Sequence, residues 1–203
     1  MASENNPLRI GFFGGSFDPL HNGHLMLVDE ALRSGKLDKL LLCPAFHAPL
    51  RSEKPLLSGE QRLEMVRSLC AERPELEGFD YEIRQARTCY TYDTLLEVRR
   101  IHPGARLHLL IGNDQFRKLD QWKFNRELLQ IAHLLVFSRD RTEPVPPLGI
   151  DPLPHTVMNN PLVPISSTEI RRRLLAGQSV SELVPPVIHE KLKTMTFEQT
   201  TSP

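Results

Sequence analysis

The chain has few cysteines, no surplus of either charge and no long apolar run. Its three cysteines, Cys43, Cys70 and Cys89, are widely spaced and form no Cys-x-x-Cys pair. That pattern argues against a zinc ribbon or a disulfide framework and gives the expectation of reduced thiols in a cytoplasmic protein. Lys plus Arg number 25 and Asp plus Glu number 25, so the formal net charge is zero. A dedicated nucleic-acid binder carries a basic surplus, so no nucleic-acid partner is expected. No apolar stretch approaches the roughly 20 residues of a membrane span, and the residues from Met1 to Pro7 hold no apolar signal core, so no membrane partner is expected either. The one glycine pair, Gly14-Gly15, is not followed by Lys-Ser or Lys-Thr and does not make Gly-x-Gly-x-x-Gly, which excludes a Walker loop and the dinucleotide fingerprint there.

What remains is an ordinary globular composition over 203 residues, enough for one sizeable α/β domain with a real core. The reading is a single domain over 1–203 with a C-terminal helical portion from about residue 166; it leaves oligomeric state open, a homo-oligomer included. Apolar runs predict strands at Leu8–Phe13, Lys39–Cys43, Leu107–Ile111 and His133–Ser138, and alternation predicts another at Phe79–Arg84. Helical spacing predicts helices over Asn22–Arg33, Thr91–His102, Arg126–Ile131, Ser167–Ala176 and Pro186–Lys193, with a short helical stretch before Trp122. Ser58 and Gln61 have capping-box spacing and open a helix to about Glu72. Thr142–Pro164 carries seven prolines and reads as a long, largely extended excursion.

Strand and helix alternate, which predicts a Rossmann-like, doubly wound parallel sheet with helices on both faces and right-handed crossovers. Such sheets bind ligands beyond the carboxyl ends of their strands. Gly14-Gly15, Pro44, Gly112 and Arg139 all fall at those ends.

Two segments carry phosphate-binding shapes. In Gly14-Gly15-Ser16-Phe17-Asp18-Pro19-Leu20-His21-Asn22-Gly23-His24, paired glycines allow backbone amides close to a ligand. His21 and His24 are three apart, so both face one side of a first helical turn and add donors to its positive end. In Ile165-Ser166-Ser167-Thr168-Glu169-Ile170-Arg171, a helix opens with hydroxyls and an arginine. Donors aimed at phosphate suit phosphoryl or nucleotidyl transfer, where charge develops on phosphate oxygens. Incidental histidines at a helix start would explain one of the pair better than the whole string. Arg172 and Arg173 read as a solvated charge run.

The first string resembles the signature of the nucleotidylyltransferase superfamily, whose core is His-x-Gly-His, and the second resembles that superfamily's other signature. Tyr90-Thr91-Tyr92-Asp93-Thr94-Leu95, Gly112-Asn113-Asp114, and Leu119 followed by Trp122 resemble, within it, the bacterial nicotinate-nucleotide adenylyltransferases, over nearly all of residues 8–190. The resemblance implies adenylyl transfer from ATP to nicotinate mononucleotide, giving deamido-NAD and pyrophosphate. It implies His21, His24 and Arg171 as catalytic residues. It implies ATP binding by Gly14, Gly15, Ser16, Phe17, His21, His24, Gly112, Asp114, Ser167, Thr168 and Arg171. It implies acceptor binding by Ser16, Phe17, Arg51, Tyr90, Thr91 and Trp122, and Mg²⁺ held mainly by phosphates and water, with no protein metal site.

Some of these positions have rival readings. Asp114 could be a simple N-cap, Trp122 an ordinary core residue instead of a stacking surface for a pyridine ring, and Tyr90 a helix-entry packing residue. Thr91 opens a helix whose N-terminus favours an anionic group such as a nicotinate carboxylate. The chain departs from the family pattern at Ala48-Pro49-Leu50-Arg51, where Leu50 replaces a usual histidine, and at Cys89, where serine is usual. Nicotinamide mononucleotide or phosphopantetheine as acceptor, a fragment related to class I aminoacyl-tRNA synthetases, and an inactive nucleotide sensor are the alternatives. Length, neutral charge and the retention of His21, His24 and Arg171 weigh against the last two.

Overall fold

A computed structural model of the protein describes residues 6–49, 53–147, 149–150 and 153–197. Arg51 and Leu50, two positions singled out in the sequence, lie outside the described residues.

Leucine-rich runs at strand spacing build the centre. The strands are β1 (Arg9–Gly15), β2 (Lys39–Pro44), β3 (Leu76–Gly78), β4 (Arg106–Gly112), β5 (Ala132–Phe137) and β6 (His155–Val157), all parallel, in the order β3-β2-β1-β4-β5-β6. Both faces of the sheet are covered, so successive residues bury to opposite sides and the strands read as continuous apolar runs. Phe12, Leu41, Leu109 and Leu134 pack on one side, with residues of α4 (Thr91–Ile101) and α6 (Asn125–Ile131). Phe13, Leu42, Leu110 and Leu135 pack on the other, with residues of α1 (Asn22–Arg33) and α2 (Gly59–Ala71). A third cluster joins Met65 of α2 to Ile170 of α7 (Ser167–Leu175) and to Ile188 and Leu192 of α8 (Pro186–Lys193). The expected Ser58–Gln61 box is formed in both directions, at 3.2 and 2.8 Å. Among the described residues, no helix is long and apolar enough to cross a membrane.

One expectation is corrected. The strand predicted at Phe79–Arg84 lies earlier, at Leu76–Gly78, and Tyr81–Gln85 is instead a short helix, α3. Phe79 and Ile83, both buried, fit an i,i+4 helical face as well as they fit alternation, and six residues are too few to separate the two periods. The proline-rich excursion, expected to be largely extended, holds a sixth strand that was not predicted, His155–Val157 beside β5, with Thr156 Oγ1 2.8 Å from His133 Nε2. Three residues of sheet are too short to show a period.

The strand order reverses direction between β1 and β4, the crevice where open parallel sheets place ligands. The loop leaving β1 and the short helix α5 (Asn113–Phe116) leaving β4 both open there.

Candidate active site

The loop from β1 ends in His21, the N-cap of α1, with extended backbone at φ −144° and ψ 170°. His24 occupies the third helical position, and its ring stacks on that of His21 with centroids 3.7 Å apart. The backbone N–H of His21 donates to His24 Nδ1 at 3.3 Å. A neutral ring that accepts at Nδ1 carries its proton on Nε2, so His24 is fixed as an Nε2–H donor. Phe17 stands edge-on to His24, with centroids 5.2 Å apart, and is buried. Gly23 is what lets the His21 ring lie over this turn, since a Cβ there would come within 3.0 Å of it.

His21 is 1% exposed, and both its ring nitrogens are buried without a hydrogen-bond partner among the described residues. Burial, with a smaller contribution from the nearby Arg139 cation, pushes its pKa down to about 3. His21 is therefore a neutral ring with unsatisfied polar atoms at a cavity wall. An orphaned buried donor or acceptor costs about 1–3 kcal/mol, which a ligand bonding to it would recover.

That cavity, about 320 Å³, is lined by His21 at the N-cap of α1, His24 of α1, Asp114 of α5, Arg139 after β5, and Val163–Ser166 before α7. Gly112 is the N-cap of α5 and Asp114 its second residue, which rules out the simple N-cap reading of Asp114. Asp114 Oδ1 is buried with no hydrogen-bond partner among the described residues and lies 3.8 Å from Arg139 Nη1. A Cβ at Gly112 would come within 2.4 Å of Asp114 Oδ1 and 2.5 Å of Arg139 Cδ, so the glycine leaves room for both side chains to converge. Asn113, fully buried, accepts the Arg139 backbone N–H at 3.0 Å and donates to Asp140 at 2.7 Å, fixing where the arginine starts. Among the described residues no group of three or more His, Cys, Asp or Glu is placed to hold a metal.

The second segment is joined directly to the first. Ser166 caps α7 by accepting the Glu169 N–H. Ser167 Oγ donates to Pro19 O at 3.3 Å. Arg171 donates to Asp18 O at 3.0 Å and to Thr168 Oγ1 at 3.2 Å, and pairs with the Asp18 carboxylate at 3.6 Å. Asp18, 1% exposed, accepts the N–H groups of Leu56 and Leu57, both at 2.9 Å. Arg62, also 1% exposed, donates to the carbonyls of Ser16, Ala45, Phe46 and Leu57. One polar brace thus ties the β1 loop, the segment after β2 and the start of α7.

Tyr90, Thr91 and Trp122 do not line that cavity. Tyr90 is the N-cap of α4 and Thr91 its first residue. Trp122 packs partly on the first core cluster, with its Nε1 buried and unpartnered among the described residues. Cys89 is buried, and burial raises its thiol pKa, which leaves it an inert thiol. Gly14 is exposed and Gly15 and Ser16 are half-buried at the strand end.

Sequence reasoning named His21, His24 and Asp114, which the fold brings into one cavity, but missed the roles of Arg139, Asp18 and Arg62. Arg139 was visible as a strand-end residue. Arg62 shares the apolar face of α2 with Met65, Val66 and Leu69, an unexpected place for a cation and a signal that could have found it.

The sequence matches the cytidylyltransferase-like family over residues 12–173. It is 32% identical over 194 residues to a probable nicotinate-nucleotide adenylyltransferase of Methylacidiphilum infernorum, covering 95% of this chain and 93% of that one. It is 39% identical over 181 residues to a probable nicotinate-nucleotide adenylyltransferase of Thermus thermophilus, covering 89% and 94%. Among solved structures, the Plasmodium falciparum nicotinic acid mononucleotide adenylyltransferase complexed with NaAD superposes with a TM-score of 0.73 at 19% identity, covering 92% of this chain and 95% of that one.

Proposed function

Because the chain belongs to the nicotinate-nucleotide adenylyltransferase family, within the cytidylyltransferase-like group, we infer that it transfers the adenylyl group of ATP to nicotinate mononucleotide, yielding deamido-NAD and pyrophosphate in NAD biosynthesis. The acceptor phosphate attacks the α-phosphorus, the bond to the bridging oxygen of pyrophosphate breaks, and pyrophosphate leaves with the electron pair. The acceptor is already a nucleophile, so catalysis is positioning and charge stabilisation.

The observation that carries this reading is the stacked pair at the cavity wall: a neutral His21 with orphaned nitrogens beside a His24 locked as an Nε2–H donor. We assign His24 to the reacting α-phosphate and His21 beside it. Arg171, Ser167 and Thr168, at the start of α7, take the leaving pyrophosphate, and Arg139 supplies a second guanidinium from across the cavity. Tyr90, Thr91 and Trp122 take the acceptor, the α4 N-terminus favouring a carboxylate over a neutral amide.

The residues present fit Mg²⁺ held mostly by phosphate and water. Asp114 is the one carboxylate among the described residues lining the cavity, and its Oδ1 is a buried oxygen without a hydrogen-bond partner there. When bound, the ion would neutralise charge on the triphosphate. We also assign the protein to the cytoplasm, on its three free thiols Cys43, Cys70 and Cys89.

Pyrophosphate release measured with ATP and, separately, nicotinate mononucleotide, nicotinamide mononucleotide and phosphopantetheine tests the reading. Release should be fastest with nicotinate mononucleotide. No release with any acceptor overturns the enzyme assignment, and preference for another acceptor overturns the substrate.

A further inference from the structure

Three consecutive residues after the 3₁₀ turn Leu119–Gln121 have unusual surroundings. Trp122 holds a buried indole N–H with no hydrogen-bond partner among the described residues. Phe124 has φ 60° and ψ 30°, the left-handed region that bulky side chains rarely enter. Such a backbone persists only where its surroundings over-determine it. Here Asn125 Nδ2 donates to Leu119 O at 3.1 Å and Asp120 O at 3.2 Å, Trp122 N–H donates to Leu119 O at 3.1 Å, and the Phe124 ring packs on Tyr90 and Tyr92, with centroids 6.0 and 5.6 Å away.

The consequence falls on Lys123. Its ammonium sits 4.6 Å from the centroid of the Tyr90 ring and 5.1 Å from that of Phe124. Tyr90 is the N-cap of α4. Among the described residues no carboxylate lies within ion-pair distance of Lys123, and Asp93, in the first turn of the same helix, makes no such pair with it. Aromatic faces attract a cation without neutralising it. The ammonium therefore lies against the Tyr90 ring at the start of α4, one residue after Trp122, with no ion-pair partner among the described residues.

We propose that Lys123 is a specificity-determining residue, supplying the counter-charge that makes this site prefer an acceptor with an anionic ring substituent, a pyridine carboxylate, over the neutral carboxamide. The inference rests on the proposed function and adds to it a charged side chain where the helix terminus alone offered only partial charge. A carboxylate gains a Coulomb attraction that a carboxamide of the same shape does not. For a partly exposed pair this amounts to a several-fold preference, weakened by salt.

The test compares Lys123→Met, Lys123→Glu and Lys123→Arg with wild type, using kcat/KM for nicotinate mononucleotide and for nicotinamide mononucleotide, with calorimetric binding of each. Lys123→Met should lower the nicotinate value about three- to fivefold and leave the nicotinamide value within about twofold. Lys123→Glu should lower it further, Lys123→Arg should restore it, and added salt should narrow the preference of wild type and Lys123→Arg but not that of Lys123→Met. Equal losses on both acceptors would make Lys123 a packing residue, and unchanged ratios in all three variants would remove it from selection; either overturns the inference while wild-type turnover leaves the function standing. A wild type that neither turns over nor binds either acceptor overturns the function itself, and the inference with it.

Discussion

His21 and His24 sit three residues apart on one turn yet have different chemistry. His21 is buried and stays neutral because burial and Arg139 hold its pKa near 3, while His24 has its tautomer set by the backbone N–H it accepts. That both histidines share one helical turn was legible from their spacing, and the fold sets both on the wall of one cavity. The tautomer was not, since it depends on where a backbone N–H of the folded turn points. Arg139 and Asp114 were equally hidden as a pair, because their convergence over Gly112 comes from two strands that meet only in the sheet. Trp122 is the residue whose two readings are still separable by experiment. Trp122→Ala should raise the KM of the acceptor by a clearly larger factor than that of ATP in steady-state kinetics, as loss of a stacking surface requires. Equal increases would make it a packing residue of the first core cluster.

Among the elements, α2 shows both what sequence patterns carry and where they stop. The Ser58–Gln61 box was readable because capping is local chemistry over four residues. The role of Arg62 was not, because the carbonyls it serves come from Ser16, Ala45, Phe46 and Leu57, three separate stretches of chain. The displaced β3 and the unpredicted β6 are short segments whose state is decided by a neighbouring strand, not by their own periodicity. The two features of α2 should differ in weight. Ser58→Ala loses one cap bond and should cost about 1 kcal/mol in urea unfolding. Arg62→Met leaves buried carbonyls without donors and should cost about 3 kcal/mol or more. A smaller loss for Arg62→Met than for Ser58→Ala would dissolve the brace.

At the scale of the whole molecule, a parallel sheet covered on both faces was legible from alternating strands and helices, and its switch point between β1 and β4, which only the folded strand order shows, explains why distant segments share one cavity. Two buried titratable groups also set a stability profile that no composition reveals. His21, pushed down to about 3, is protonated in the unfolded chain but not in the folded one between that pH and its ordinary value of 6.5, so it makes stability rise with pH across that window. Burial raises Glu82 from 4.5 to about 7, against the Thr94 hydrogen bond and the Arg62 charge, so it makes stability fall as pH rises between those values. The two slopes oppose each other where the windows overlap, between 4.5 and 6.5. Glu82→Gln removes one of them: the variant should gain stability steadily through that overlap and exceed wild type at pH 8 by about 3 kcal/mol in urea unfolding. Parallel pH profiles for variant and wild type would mean that Glu82 is ionised when folded.

The proposal that adenylyl transfer takes place at the His21–His24 cavity is tested most directly by the rate of dinucleotide formation. Purified protein given ATP and nicotinate mononucleotide should form deamido-NAD with a pyrophosphate released for each dinucleotide, and His24→Ala, folded to the same extent, should form it roughly 10²–10³ times more slowly, the loss of one donor to the transition state. No dinucleotide from the wild-type protein, or a near-full rate from His24→Ala, would contradict it.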